Sequence, residues 1–502
     1  MEMLLPMLFS VLTDPAILLC IFIGVILGFI FGALPGLTAT LGVALLTPLT
    51  FPLPPEQAIA MMSALYCGSM TGGAIPAILL KIPGTPSAVC TTLDGYPMAQ
   101  RGEALRAYGW ALSASVCGGL VSWLCLATIA PFLARLALRI GPAEYAMLAL
   151  MGMTVIASIT PGRVLKGLAG ALIGIGLSVV GFDQITGEGR WIFQSIALSG
   201  GVSVMPALIG FLVIPELIST LSLKAQRINT KVDLRAILPP LAAVLRQKWN
   251  YLRSALIGVG VGLVPALGGN VAAFISYDQA KRFDPRGKNY GQGEPGGIIA
   301  SEASNNGVTG GALIPLLTLG IPGDSVTAML LGGLMIHGIQ PGPRLFETSG
   351  PAVWTIIAAL LVANVVLALV GFLGIGGFLQ ALRVPKFLLS PCLLILTVIG
   401  TYALSGQIFD VILMLVLGGF GFLCLLAEFP VYPIVIGIIL GPLLEAELRR
   451  ALVISGGDWS IFVTRPVSAI FLIMTILALV VPTLIARWKH RRGEPREKPS
   501  RH

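Results

Sequence analysis

One stretch of the sequence, Thr71-Gly-Gly-Ala-Ile-Pro-Ala-Ile-Leu-Leu-Lys-Ile-Pro-Gly84, decides the fold, because a close copy follows as Thr309-Gly-Gly-Ala-Leu-Ile-Pro-Leu-Leu-Thr-Leu-Gly-Ile-Pro-Gly323. In both copies the two prolines stand seven positions apart, and both end in Ile-Pro-Gly. Helix-breaking residues are tolerated at membrane depth only where the backbone is buried in protein or lines a wet cavity. A matched pair of interruptions, one in each half of the chain, indicates a central binding site of the kind that transport proteins have.

The composition indicates an integral membrane protein built from helices. Hydrophobic residues make up 56% of the 502-residue chain and charged residues only 11%, and the mean hydropathy is +0.91. A soluble domain has roughly 25% charged residues and could not bury so much apolar surface. Many apolar runs approach the roughly 20 residues that a helix needs to cross a bilayer. They are far longer than the strands of an outer-membrane barrel, which span about ten residues.

These observations predict an all-α integral membrane protein of about 10–12 transmembrane elements. We expect two structural repeats with broken helices or re-entrant hairpins. The expected divisions are a first transmembrane repeat at 1–220, a basic cytoplasmic linker at 221–251, a second repeat at 252–486 and a basic tail at 487–502.

The net charge of +9 comes from short loops, the linker and the tail, so it indicates no nucleic-acid partner. Positive residues concentrate in cytoplasmic loops of membrane proteins. The tail and the linker are therefore expected in the cytoplasm, and the lipid bilayer is the expected surrounding of the rest. The seven cysteines mostly lie in apolar runs, where they need no function beyond packing. The three histidines, His337, His490 and His502, are too scattered for a metal site, so no metal is expected.

Each half opens with a glycine-rich helix that ends in a proline. The first helix carries Gly24, Gly28 and Gly32 before Pro35, and the second reaches Pro265. Small residues at this spacing are best explained by close packing of helices. The two Ile-Pro-Gly prolines stand 48 and 57 residues after Pro35 and Pro265, and the extra nine residues fit the hydrophilic stretch 278–295. An insertion in a loop costs little, so the repeat survives it. Precedent among transporters favours an inverted repeat, although the sequence leaves a parallel one open.

The repeated segments have the chemistry to bind an anion together with a cation. A helix that begins within the membrane presents free N–H groups that suit a carboxylate, and one that ends there presents carbonyl oxygens that suit a hard cation. Hydroxyl and amide side chains nearby complete either shell. The candidate substrate-binding residues are Ser69, Thr71, Gly72, Pro83, Gly84, Thr85, Ser87, Asn305, Asn306, Pro322, Gly323 and Ser325. The candidate ion-binding or coupling residues are Lys81, Asp324, Ser304 and Thr309.

Several long motifs, in order along nearly the whole chain, resemble the large membrane subunit of the tripartite tricarboxylate transporters, the TctA-like family. In the first half they are Tyr66-Cys-Gly-Ser-Met-Thr-Gly-Gly73, Ile82-Pro-Gly-Thr-Pro-Ser87 and Asp94-Gly-Tyr-Pro-Met-Ala99. In the second half they are Ala300-Ser-Glu-Ala-Ser-Asn-Asn306, Gly310–Gly323 and His337-Gly-Ile-Gln-Pro-Gly-Pro343.

The resemblance implies a multi-pass protein of the bacterial inner membrane, in a system of three components. The implied partners are a periplasmic substrate-binding protein and a small membrane subunit. The implied activity is secondary active import of a carboxylate, of the tricarboxylate type, with a coupling cation. The absence of a GxxxxGK[ST] nucleotide loop agrees with transport driven by an ion gradient. No cofactor is expected beyond Na⁺ or H⁺ as the coupling ion.

Two charged residues depart from the pattern implied by the resemblance. Lys81 stands before the first Ile-Pro-Gly, where Asn is common, and Asp324 stands after the second, where a small neutral residue is common. We hypothesise that Lys81 and Asp324 approach each other near the site, where they could pair, titrate or contact substrate. A lysine replacing a bound cation would make proton coupling plausible. The alternative is that both side chains reach a wet interface and are solvated.

Other intramembrane candidates are weaker. Glu302 precedes the two asparagines and could orient them or begin a helix, whereas His337 stands beside a probable hairpin exit and could carry a proton. Asp94 and Tyr96, with Gly95 and Pro97, predict a turn of mainly structural importance. The competing functions are a proton-coupled carrier of another organic acid, a passive channel and an intramembrane enzyme. No catalytic residue is predicted, because the aspartates are dispersed and form no paired set.

Overall fold

The computed structural model describes residues 3–159, 164–183, 186–220, 237–265, 267–381 and 386–491. The predicted linker at 221–251 lies partly outside these ranges, and so does most of the predicted tail. The helices before the linker are α1 (Leu4–Thr13), α2 (Pro15–Ala33), α3 (Ala39–Thr50), α4 (Pro55–Gly72), α5 (Ala74–Leu80), α6 (Thr91–Gln100), α7 (Ala104–Ala137), α8 (Pro142–Ile159), α9 (Val164–Ser178), α10 (Ile196–Ser199), α11 (Val204–Leu208) and α12 (Ile214–Thr220).

Three shorter features complete this part of the chain. They are a 3₁₀ turn at Pro86–Ala88, a π-helical segment at Ile209–Val213, and a hairpin of the antiparallel strands β1 (Gly181–Phe182) and β2 (Gly189–Arg190). The helices after the linker are α13 (Leu241–Arg246), α14 (Lys248–Gly262), α15 (Gly268–Phe283), α16 (Pro295–Leu319), α17 (Ser325–Ile336), α18 (Leu345–Thr348), α19 (Gly350–Ala381), α20 (Lys386–Ser405), α21 (Ile408–Leu426), α22 (Tyr432–Ile454), α23 (Ile461–Thr464) and α24 (Pro466–Arg491). A second 3₁₀ turn lies at Gly287–Asn289.

The expectation of an all-α membrane protein is confirmed. In the described ranges, five helical spans are long and apolar enough to cross a membrane, and seven shorter apolar helices accompany them. The five spans are Pro15–Ala33, Pro55–Leu80, Ala104–Ala137, Gly350–Gln380 and Ile408–Leu426. The second of them joins α4 and α5 into one apolar stretch.

The chain forms two compact units, each assembled from both halves of the sequence. The first unit comprises residues 1–138 and 205–422, and the second comprises 139–204 and 423–502. Within the second unit α8, α9, α22 and α24 pack together. The ion pair of Arg190 with Glu445 joins the strand β2 to α22, and Arg449 pairs with the same Glu445 within α22. All the predicted site residues belong to the first unit.

Glycine stripes bring the helices of the first unit into backbone contact, as expected from their spacing. A Cβ on Gly28 or Gly32 of α2 would overlap the backbone of α4, at Leu65 or Ser69. In the same way, a Cβ on Gly258 of α14 would overlap the carbonyl oxygen of Ser304 in α16. The pair α2–α4 and the pair α14–α16 therefore have the same construction, one in each half.

Candidate functional site

The two repeated segments end their helices in the same way. Lys81 follows α5 with a φ of 58°, and Gly320 follows α16 with a φ of 71°, so both lie in the left-handed region that ends helices. The next N–H in each copy reaches back six residues, from Ile82 to the carbonyl of Pro76 at 3.4 Å and from Ile321 to that of Pro315 at 3.3 Å. The interruption in each repeat is thus at Ile-Pro-Gly.

The prediction that the Thr-Gly-Gly segments and their prolines interrupt the helices is wrong for the second copy. Thr309, Gly310 and Gly311 lie within α16, which continues through Pro315 to Leu319. In the Thr-Gly-Gly segment of the first copy, Gly73 is the one residue outside a helix, between α4 and α5. Its φ and ψ of −59° and −23° are still helical. These glycines serve close packing instead, because a Cβ on Gly310 would overlap the backbone of Ser122 in α7.

The glycine of each Ile-Pro-Gly turn fixes the turn against its own repeat. Gly84 donates its N–H to the carbonyl of Gly73 at 3.2 Å, and a Cβ on it would overlap the carbonyl oxygen of Gly32. A Cβ on Gly323 would come within 2.8 Å of the Cα of Ala312 and of the carbonyl oxygen of Gly262. A side chain at either position would push the turn off the helices that support it, so both turns need glycine.

The segment after each turn packs against the other repeat. The 3₁₀ turn after the first Ile-Pro-Gly contacts α15, and α17 after the second contacts α3. The hydroxyls of Thr40 in α3 and Ser325 at the start of α17 lie 2.8 Å apart. On the other side, a Cβ on Gly269 in α15 would lie 2.6 Å from the Cβ of Ser87. Each repeat thus packs the segment after its turn against the other repeat, and a polar cluster lies at each turn.

The cluster at the first turn has two buried amides with unused hydrogen-bonding atoms. Asn305 donates its Nδ2 to the carbonyl of Met70 at 3.0 Å, and its Oδ1 has no partner among the described residues. Asn306 accepts a hydrogen bond from the Thr71 hydroxyl at 3.3 Å, and its Nδ2 likewise has no partner in the part of the chain that the structure describes. Both side chains are fully buried. A buried polar atom without a partner costs free energy, so such atoms in a native interior point to a ligand or ion.

Two further hydroxyls lie at the first turn, and one of them, that of Ser87, is close to Asn305. Thr85 and Ser87 stand 3.2 Å apart by their Oγ atoms, and both are buried. Asn305 Oδ1 and Ser87 Oγ both lie within 3.4 Å of the place where a Cβ of Gly269 would be. The absence of a side chain at Gly269 therefore lets α15 pack directly against Ser87, beside Asn305 Oδ1. We call Asn305, Asn306, Thr85, Ser87 and Gly269 the first-turn site.

The cluster at the second turn is already satisfied by the protein. Asp324 caps α17: its Oδ1 accepts from the N–H and the hydroxyl of Thr327, both at 2.8 Å, and Thr327 Oγ1 accepts from the Asp324 N–H. Its Oδ2 accepts from the Tyr66 hydroxyl at 2.5 Å. A carboxylate at a helix N-terminus is favoured by the helix dipole. The N-terminus of α17 is a position that could hold a substrate anion, and the Asp324 carboxylate already occupies it.

The hypothesis that Lys81 and Asp324 pair is wrong. Lys81 is exposed, with its Nζ over the ring of Tyr96 at 5.7 Å from the centroid. Asp324 is buried and receives its hydrogen bonds from Tyr66 and Thr327. The left-handed conformation that ends α5 directs Lys81 outward, whereas the cap of α17 holds Asp324 inward. A role of either residue in ion coupling stays a prediction.

The structure separates the remaining predicted residues into two groups. Thr71, Pro83, Gly84, Thr85, Ser87, Asn305 and Asn306 belong to the first turn and its surroundings, and Pro322, Gly323, Asp324 and Ser325 belong to the second. The hydroxyls of Ser69, Ser304 and Thr309 donate to carbonyls three residues earlier in their own helices. A Cβ on Gly72 would overlap the carbonyl oxygen of Phe29 in α2, so this residue serves helix packing. Their predicted roles in binding are untested.

Three participants are not among the residues that the sequence predicts for the site. They are Tyr66, Gly269 and Thr40. Each acts through a contact with the other half of the chain, which the local sequence does not reveal. Gly269 follows Gly268, and this Gly-Gly pair at a helix start is the only available signal.

Asp94 has a structural role that goes beyond its own segment. Residues 94–97 lie inside α6, so the turn prediction is wrong. The buried Asp94 carboxylate accepts from the N–H groups of Gly291, Gly293 and Glu294 at 2.8–2.9 Å and from the Tyr277 hydroxyl at 2.8 Å. It thereby fixes the loop that leads into α16, and so positions Asn305 and Asn306 indirectly.

The same loop is held by a second carboxylate, Asp284. Burial acts to raise the pKa of Asp284, but the N–H of Arg286, the Tyr290 hydroxyl and the Arg286 charge outweigh it and lower the pKa below its usual value. A lowered pKa means that this carboxylate stabilises the fold above its unfolded pKa, and that the contribution is lost only as the pH falls through the lower folded value. The loop is therefore held in place at neutral pH.

These observations define a class of protein: a multi-pass α-helical membrane protein whose two repeated helix ends bring polar groups together in its interior. Among the described residues no group of three or more His, Cys, Asp or Glu side chains could hold a metal ion. The model of the Tripartite tricarboxylate transporter TctA family matches residues 18–436, so the chain belongs to that family. It is therefore a subunit of a transporter.

Two relatives come from Agrobacterium vitis. The chain is 34% identical over 485 residues to an uncharacterized 52.8 kDa protein in the TAR-I ttuC′ 3′ region, covering 95% of this chain and 94% of the relative. It is 36% identical over 224 residues to an uncharacterized protein in the TAR-II ttuC′ 3′ region, covering 45% of this chain and 93% of that protein. No solved structure matches the chain.

Proposed function

We propose that this protein is the translocating subunit of a secondary active carboxylate importer, with its substrate bound at the first-turn site. The observation that carries the proposal is the pair of fully buried amides, Asn305 and Asn306, which offer one acceptor and one donor without partners. A free amide N–H, two hydroxyls and the backbone around the Ile82-Pro83-Gly84 turn can hold a carboxylate. A free carbonyl oxygen can hold a cation or a substrate hydroxyl.

The asymmetry of the two turns supports one carboxylate site instead of two. At the second turn, Asp324 already occupies the start of α17 and receives hydrogen bonds from Tyr66 and Thr327. A substrate carboxylate there would meet a charge of its own sign. The first turn has Thr85 in the equivalent place, 239 positions earlier, and none of the five residues of the first-turn site is acidic.

The rest of the system is proposed from the family. A tripartite transporter needs two further chains, and we propose a periplasmic binding protein that delivers the carboxylate and a small membrane subunit, all at the bacterial inner membrane with the tail of this chain in the cytoplasm. The driving force is proposed to be a gradient of Na⁺ or H⁺. The tricarboxylate class comes from the family description, and a different organic acid is the second candidate.

Uptake into proteoliposomes tests the proposal. The vesicles contain this chain, the small subunit and the cognate binding protein, and receive a panel of radiolabelled mono-, di- and tricarboxylates with sodium and pH gradients imposed separately. We expect accumulation of at least one carboxylate above its external concentration under one of the gradients. Equilibration without accumulation would indicate a channel. No uptake of any carboxylate under either gradient would contradict the proposed substrate class.

A further inference from the structure

We propose that Glu302 is a proton-binding site of this protein and carries the coupling proton; this rests on the proposed transport function. Glu302 lies in α16 and is fully buried. Its Oε1 accepts a hydrogen bond from the Thr91 hydroxyl, its Oε2 accepts from the Ser115 hydroxyl at 3.3 Å, and the Asn305 amide lies 3.5 Å from Oε2. All three partners are neutral, and two of them come from the other half of the chain.

The surroundings of Glu302 contain no cation to balance a permanent charge. In the part of the chain that the structure describes, no Lys, Arg or His forms an ion pair with it. The neighbouring helices present thiols, phenols and one carboxylate. Cys90, at the start of α6, faces Glu302, Cys67 of α4 bonds to Thr309, and Tyr251 of α14 bonds to Ser113. The carboxylate is Asp94 of α6, which accepts from Tyr277 of α15. An unbalanced carboxylate charge in such a place is costly, so a bound proton is favoured.

Asp324, the other buried carboxylate of the site region, is a poorer candidate. It accepts from a backbone N–H and two hydroxyls within 2.8 Å, and it caps a helix N-terminus. These donors and the helix dipole both stabilise the charged form of the carboxylate. Glu302 has no backbone donor in its network, and two of its three contacts are 3.3 Å or longer.

The hydroxyls around Glu302 can serve both protonation states. Thr91 Oγ1 also lies 2.8 Å from Ser301 Oγ. When Glu302 is charged, Thr91 donates to it and Ser301 can donate to Thr91. When Glu302 is protonated, its own O–H donates to Thr91, and Thr91 donates to Ser301. A hydroxyl can rotate between these roles without moving its oxygen. The proton is thus gained from water on one side of the membrane and lost to water on the other, with no other bond made or broken.

Close packing favours a proton over a metal ion at this place. A Cβ on Gly118 of α7 would overlap the carbonyl oxygen of Ala303, the neighbour of Glu302, and a Cβ on Gly258 of α14 would overlap that of Ser304. Two neighbouring helices, α7 and α14, therefore approach α16 closely at the two residues that follow Glu302. A hard cation needs several oxygen ligands around it, whereas a proton needs no additional room.

Asn305 connects the proton site to the first-turn site. Its amide nitrogen lies near Glu302 and donates to the Met70 carbonyl, and its free Oδ1 lies beside Ser87 and Gly269. A change of charge on Glu302 changes the electric field at the Asn305 amide. In return, a ligand bound at Asn305 Oδ1 changes the hydrogen bond that the amide nitrogen can donate to Glu302. One side chain can therefore couple the binding of a proton to that of a carboxylate, and the coupling must be reciprocal.

The replacement Glu302→Gln tests the assignment, because glutamine resembles the protonated side chain and keeps donors and acceptors for all three partners. We expect it to retain exchange of labelled carboxylate across the membrane in the absence of net flux, at half or more of the wild-type rate. We expect it to lose accumulation driven by a pH gradient and to lose proton co-uptake. The matched control is Glu103→Gln on the exposed end of α7, where Glu103 pairs with Arg106; it should transport like wild type. Proton-driven accumulation in Glu302→Gln, or sodium-driven accumulation without proton movement in wild type, would overturn the assignment.

A spectroscopic measurement tests the protonation of Glu302 independently of transport. In infrared difference spectra of the complete complex, acidification between about pH 9 and pH 5 should reveal the carbonyl stretch of a buried carboxylic acid. The component of the band that comes from Glu302 should be missing in Glu302→Gln. In Ser115→Ala the charged form loses a donor, so the midpoint of the band should move to higher pH by up to about one unit. A spectrum without this band, or with the band unchanged in Glu302→Gln, would overturn the proton site even if carboxylate transport is found. If the band is present but no carboxylate is transported, the proposed function fails and the proton site stands.

Discussion

Lys81 and Gly320 occupy the same position in the two halves of the molecule: each ends the long helix of its repeat in the left-handed conformation, with φ values of 58° and 71°. They are 239 residues apart, as are Pro76 and Pro315. Glycine is the usual residue for this conformation, and a lysine adopts it at a cost of about 1 kcal/mol. The unusual charge next to the first Ile-Pro-Gly thus belongs to an exposed residue at the end of a helix, with its Nζ over the ring of Tyr96.

Replacing Lys81 by glycine should therefore be tolerated by the fold. We expect Lys81→Gly to unfold at the same temperature as wild type or to be more stable by up to about 1 kcal/mol, because the strain of the left-handed lysine is removed. Lys81→Val should be less stable, since a branched Cβ is poorly accommodated there. Thermal unfolding of the purified protein in detergent measures both. A folded Lys81→Gly that loses carboxylate exchange would instead assign Lys81 to ion coupling.

Close helix contact predicts opposite results for two glycines of α14. Gly258→Ala should lower stability by about 1–3 kcal/mol, because the new methyl group would overlap the carbonyl of Ser304. Gly260→Ala on the same helix has nothing within 4 Å of its Cβ position, so it should be neutral or stabilising by about 0.5–1 kcal/mol. Denaturation in detergent distinguishes the two. Equal effects would show that α14 and α16 are not in backbone contact.

The hydrogen bond from Tyr66 to Asp324 should be important for stability. Tyr66→Phe leaves a buried carboxylate with one donor fewer, which costs about 1–3 kcal/mol. Tyr402→Phe on the exposed face of α20 serves as a control and should change stability by no more than about 0.5 kcal/mol. A Tyr66→Phe protein as stable as the control would mean that Asp324 is held by its helix cap alone.

The sequence was sufficient to predict the class of the fold and the region of the site. Ile-Pro-Gly at matched places marked both helix ends, because few residues end a helix inside a membrane. Asn305 and Asn306 are candidates because amide side chains near the turns can complete the shell of a bound anion or cation. The contacts that distinguish the two turns could not be predicted. Tyr66 meets Asp324, and Gly269 meets Ser87, across 258 and 182 residues of chain, and such pairings depend on how the two repeats pack.

The Thr-Gly-Gly prediction failed for a related physical reason. Glycine is weakly helical on its own, but a neighbouring helix that approaches a glycine closely compensates for this cost through packing. Gly310 is covered by the backbone of Ser122 in α7, so this part of α16 remains helical. The pairing predicted for Lys81 and Asp324 failed because a local feature, the end of α5, decides where Lys81 points.

Counterflow with an Asn305 variant tests most directly whether the first-turn site binds the carboxylate. Proteoliposomes with the complete complex are preloaded with the carboxylate that wild type takes up best, and the external concentration giving half-maximal exchange is measured. Asn305→Ala should raise this concentration about tenfold or more, as expected when a buried polar contact to a ligand is lost. Asn289→Ala in the exposed loop before α16 should leave it unchanged. An unchanged value in a folded Asn305→Ala complex would place the carboxylate elsewhere and contradict the proposed site.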